Sequence, residues 1–111
     1  MAIHHASSGE VIDLRPTSAL DQAQSVTLML DAHLKLMRLA ISAGKSLPEH
    51  GVEGPILMHC LTGVVEVAAH GARKLMRSGE LMYLAGGVRH ALRAIEDCSL
   101  LVTMVVLKRP T

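Results

Sequence analysis

The stretch GELMYLAGGVRHALRAIED, residues 79–97, decides the fold. It reads as a strand, a tight glycine turn and a second strand: ELMYL, then Gly86-Gly87, then HALRAI. His90 stands just past the turn in an otherwise apolar segment. Three roles compete for it: a metal ligand, a contact to a bound small molecule, or a polar residue filling a core position.

Working outward, short strand-like runs recur with turn residues between them. EVIDL precedes RPTSALDQ, a polar connection that can hold a helical turn. QSVTLMLD alternates Val26, Leu28 and Leu30 against Ser25, Thr27 and Met29. HLKLMRLAIS puts Met37, Leu39 and Ile41 on one face and Leu34, Leu36, Arg38 and Ala40 on the other. AGKSLPEHGVEGP is rich in Gly and Pro and reads as a long loop. PILMHCLTG, VVEVAAHG, ARKLMRSG and CSLLVTMVVLK continue the strand series. Gly63, Gly71 and Gly79 fall eight residues apart, which suits a meander of short strands. These glycines and the pair Gly86-Gly87 are all expected at positive φ. No helical periodicity survives along the chain, so the fold class is all-β, a sandwich or a barrel.

The totals agree. At 111 residues the chain is one domain, long enough to bury a core without staples. Eleven Lys and Arg balance ten Asp and Glu, so no basic patch points to nucleic acid. The longest apolar run, SLLVTMVVL, falls far short of the roughly 20 residues that span a bilayer. The first residues lack the basic and apolar regions of a signal peptide. Two cysteines in apolar runs, Cys60 and Cys98, read as reduced, buried thiols and a cytoplasmic setting. Half the residues are hydrophobic while Tyr83 is the sole aromatic, so Leu, Val, Ile, Ala and Met must build the core. That much apolar surface on a small domain points to a second buried face, as in a homodimer.

With the turns and histidines in place, the chain resembles the cupin family over about residues 25–107. The second cupin motif, G-x5-P-x-G-x2-H-x3-N, keeps its spacing at Gly79, Gly86-Gly87 and His90, with Ala85 and Ala94 replacing Pro and Asn. The first, G-x5-H-x-H-x(3,4)-E-x6-G, keeps its frame at Gly44, His50 and Gly63, with Val52 and Ile56 where a histidine and the glutamate stand. The resemblance implies a double-stranded β-helix, the cupin jelly roll, of about 8–10 strands. Residues 25–109 would form the barrel and residues 1–24 an N-terminal arm or strand.

In cupins with both motifs complete, three histidines and a glutamate hold a divalent metal inside the barrel. Carried over by position, only His50 and His90 remain, and Glu53 can swing in from the loop as a third ligand. The expected cofactor is therefore none or a divalent transition metal. If Ile56 lies inside the barrel, as the resemblance implies, Met58 and Cys60 share its face and His59 points away. The expected pocket is then His50, His90, Met58, Cys60 and Met104, a soft apolar site with few polar groups. Two functions follow. One is a binding module for a small molecule, metal-free or weakly metal-binding. The other is a metal-dependent enzyme, dioxygenase- or isomerase-like, using His50, His90 and Glu53. His33 and His70 read as solvated turn residues, and His4 and His5 as part of a terminal arm.

Overall fold

The structure, a computed structural model, describes residues 5–15 and 25–107. Among these residues nine strands form: β1 (Ser25–Leu30), β2 (Leu34–Ile41), β3 (Ser46–His50), β4 (Ile56–Thr62), β5 (Val64–Ala69), β6 (Ala72–Arg77), β7 (Leu81–Leu84), β8 (His90–Ala94) and β9 (Cys98–Val105). They make two antiparallel sheets, one in the order β1-β2-β9-β4-β7 and one in the order β3-β8-β5-β6. No helix among the described residues is long and apolar enough to cross a membrane. The helical turn expected in RPTSALDQ, His4 and residues 108 and 109 of the expected barrel lie outside the described residues.

Alternation builds the core. In β4, Ile56, Met58 and Cys60 are buried while Leu57 is exposed and His59 half-buried. In β8, His90, Leu92 and Ala94 are buried while Arg93 is exposed. Val65 and Val67 of β5, Met76 of β6 and Leu100 and Val102 of β9 complete the space between the sheets. Burying each such aliphatic side chain contributes about 1.5–3 kcal/mol, so alternation alone specifies which face of each strand turns inward.

The meander expectation is corrected. Of the strands flanking Gly63, Gly71 and Gly79, only β5 and β6 pair as a local hairpin. Its two-residue turn is His70-Gly71, both at positive φ, the mirror-image turn that matches strand twist. Gly63 and Gly79 instead mark crossings between sheets, since β4 and β7 lie in one sheet and β5 and β6 in the other. Regular spacing reports strand length, and it carries no information about which strand becomes the neighbour.

EVIDL is not a strand. It keeps the alternation, with Ile12 and Leu14 half-buried and Val11 exposed, but forms no ladder. The arm is held by single bonds: Ala6 N–H donates to the Leu28 carbonyl at 2.8 Å, and Arg38 Nη1 donates to the Leu14 carbonyl at 3.0 Å. Arg38 is 1% exposed, and its Nε also donates to Ser99 Oγ at 2.8 Å. The arm thus covers a guanidinium on the outer face of the five-stranded sheet.

The loop expected over AGKSLPEHGVEGP is corrected too, because β3 lies within it. Among the described residues β3 is an edge strand that pairs only with β8, and an edge tolerates the missing N–H of Pro48.

Candidate functional site

The two histidines of the motifs face each other. His50 of β3 is the register partner of His90 of β8, and their ring centroids lie 4.5 Å apart, tilted by 54°. An irregularity in β3 makes this possible. Leu47 and His50 are three residues apart, so on a regular strand they would point to opposite faces. Their partners, Leu92 and His90, are only two apart. The extra residue is a β-bulge, which brings His50 back to the face of Leu47.

The turn before His90 is held from the other side by the segment after His50. Gly87 N–H donates to the Val52 carbonyl at 2.7 Å. Gly87 has φ +82, as expected for this turn. Gly86 was expected at positive φ as well and is not; its glycine is needed because a Cβ there would run into the Glu53 carbonyl. The two glycines let the 51–55 segment lie directly on the turn that presents His90.

Both rings are tied to their own strands. His90 Nδ1 lies 3.1 Å from the Val88 carbonyl and His50 Nδ1 3.2 Å from the Pro48 carbonyl. A carbonyl oxygen only accepts, so each Nδ1 carries the hydrogen, and in the neutral ring each Nε2 is left as an acceptor. His90 is buried and His50 is exposed, so one ring lies within the barrel and the other at its rim.

Beside them opens a cavity of about 270 Å³. Met37 and Leu39 of β2, Leu47 of β3, Val52 of the following loop, Ile56 and Met58 of β4, Leu92 of β8, and Val102 and Met104 of β9 line it together with the two histidines. Nine of these eleven residues are hydrocarbon or thioether, so the two imidazoles supply its polar side chains. Four of the five expected pocket residues, His50, His90, Met58 and Met104, line this one space.

Cys60 does not. It continues the inward face of β4 past Met58 into closed core, is 0% exposed, and its thiol faces the carbonyls of Thr62 and Gly63. Burial, and then the charge of Glu80, push that thiol above its ordinary pKa. Cys98, also buried, is pushed up to about 11, first by burial and then by Cys60. Neither environment activates a thiolate.

Glu53 is likewise not at the cavity. Its residue is exposed, and its backbone carbonyl is what approaches Gly86. A divalent metal held as in complete cupin motifs needs three or four protein ligands. Here two imidazoles stand beside Val52 and Ile56, and no group of three or more His, Cys, Asp or Glu is placed to hold a metal among the described residues. The donor set does not fit such a centre. His59 turns away from the cavity face, as expected, and His33 and His70 are exposed.

No protein-family model and no curated protein matches the sequence. Solved structures do match. A conserved protein of unknown function from Streptococcus pyogenes superposes with a TM-score of 0.76 at 21% identity, over 98% of this chain and 97% of that one. A cupin superfamily protein from Desulfitobacterium hafniense gives 0.75 at 14% identity, over 87% and 95%. KdgF from a Halomonas species gives 0.68 at 17% identity, over 77% and 78%. At these identities the likeness speaks for the fold, and it agrees with the two-sheet topology and the paired motif histidines. The chain has the cupin fold.

Proposed function

We propose that the chain is a small-molecule-binding cupin whose site is the cavity beside His50 and His90, working without a resident metal or holding one only weakly. One observation carries this reading: two imidazoles, each fixed by a backbone carbonyl, border a cavity of about 270 Å³ whose other lining residues are apolar. Apolar walls with a few fixed polar groups are the usual make-up of a small-molecule site, and this volume lies at its small end.

Metal analysis of protein purified without tag or chelator tests the reading. It expects substoichiometric transition metal, and His50→Ala and His90→Ala variants that still fold. A stoichiometric metal lost in both variants would overturn it in favour of the enzyme.

The reading includes self-association. Leu57 and Tyr83 are register partners on the outer face of the five-stranded sheet, 40% and 64% exposed, and Leu81 beside them is 60% exposed. This apolar patch supports a homodimer, and sedimentation equilibrium that returns a monomer at all concentrations would remove that part.

A further inference from the structure

We propose that the cavity is selective for a compact, uncharged apolar molecule bearing one hydroxyl, an alcohol or a phenol, which donates its hydrogen to Nε2 of His90. This rests on the binding reading above and adds the ligand's chemical class.

The hydrogen bonds of the two rings carry the argument. Both imidazole N–H groups are spent on carbonyls of their own strands, those of Val88 and Pro48. Neither ring then has a hydrogen to give the other across their 4.5 Å separation, and neither has one to give a ligand. The side chains at the cavity wall therefore offer acceptors and no donor. A ketone, ether or ester would meet lone pairs with lone pairs.

Charge narrows the class further. Among the described residues the lining contains no Lys, Arg, Asp or Glu. A carboxylate or phosphate would find no cation there, and an ammonium no carboxylate, and an unpaired ion in apolar surroundings is strongly disfavoured. An uncharged hydroxyl meets both conditions.

Position selects the ring. His90 is 3% exposed, while His50 is exposed at the rim. A ligand hydroxyl competes with less water at the buried ring than at the rim, so His90 discriminates and His50 closes the mouth. Size sets the rest: at ordinary packing density a cavity of 270 Å³ takes about ten non-hydrogen atoms. The thioethers of Met37, Met58 and Met104 adapt to the ligand's shape.

The test is calorimetric titration of the full chain at pH 8 in EDTA with four probes of similar shape: p-cresol, 4-methylanisole, toluene and 4-methylbenzoate. The expected order has p-cresol about tenfold tighter than toluene and 4-methylanisole, with 4-methylbenzoate weakest. The His90→Leu variant should still bind toluene and lose the preference for p-cresol. A second measurement needs no variant: in 15N spectra of labelled protein, the Nε2 resonance of His90 should move on p-cresol addition and stay in place with toluene. Equal affinity for p-cresol and toluene, tighter binding of 4-methylbenzoate, or a preference that survives His90→Leu overturns the hydroxyl selectivity while leaving a binding site in place. No binding by any probe overturns both the selectivity and the binding reading.

Discussion

Replacing Val52 by histidine should turn a poor metal site into a working one. Val52 lines the cavity, and its carbonyl is fixed at 2.7 Å from the Gly87 N–H, three residues before His90. A new imidazole at this position starts beside the existing pair and raises the donor set from two imidazoles to three, the number that holds zinc in many catalytic centres. Val52 is half-buried and outside any strand, so the substitution itself should cost little stability. Metal binding to the folded state adds RT ln(1 + [L]/Kd), which is about 2.7 kcal/mol once free metal exceeds Kd a hundredfold. For a domain of this size each kcal/mol moves Tm by roughly 4–8 °C, so Zn²⁺ should raise the Tm of Val52→His by about 10–20 °C. The wild-type pair, with metal near its Kd, gains only about 0.4 kcal/mol, a shift of about 3 °C or less. Thermal melts across a Zn²⁺ series, with EDTA reversal, read both numbers. If the wild-type chain shifts as far as the variant, the two imidazoles already belong to a complete centre and the account of the donor set is wrong.

Three further outcomes are expected. His90→Ala should lose about 0–1.5 kcal/mol in urea unfolding, because its ring makes one hydrogen bond to a backbone carbonyl; a much larger loss would make the ring structural. Gly87→Val should lower Tm because the φ of +82 excludes a β-branched residue on backbone grounds, with no side-chain clash involved; an unchanged Tm would refute the turn. Cys98, held near pKa 11 against an ordinary 9.0, should resist iodoacetamide in the folded protein at pH 8 and react on unfolding. Its raised pKa also fixes a sign. The unfolded thiol loses its proton first, so the associated stability is complete below pH 9 and falls as pH rises from 9 towards 11. Urea melts at pH 8 and pH 10.5 read that decline, and equal midpoints would contradict it.

Much of the barrel was legible because two local signals repeat along the chain. Alternation gave the inward face of β4 once the resemblance set Ile56 inside the barrel, and the glycine turn gave the position of His90. The failures have physical causes. β3 was hidden because Pro48 and neighbouring glycines mimic a loop, and only the edge position and the bulge make a strand there acceptable. That same bulge is what points His50 inward, and a side-chain period of two gives no hint of it. The glycine spacing suggested neighbours in sequence, whereas long-range pairing placed β4 against β9 and β8 against β5. Cys60 shares a strand face with Met58, yet the cavity ends between them, and depth along a barrel axis is not encoded in alternation. Arg38 had a signal that went unused: a lone charge in the apolar stretch LMRLAI implies a cover, which the arm provides through the Leu14 carbonyl.

The most direct measurement is a high-resolution crystal map of EDTA-treated protein grown with p-cresol. The account predicts density for one aromatic ring among Met58, Leu92 and Met104, its oxygen within hydrogen-bond distance of His90 Nε2. An empty cavity with the ligand elsewhere, or a metal ion bridging the Nε2 atoms of His50 and His90, would contradict it.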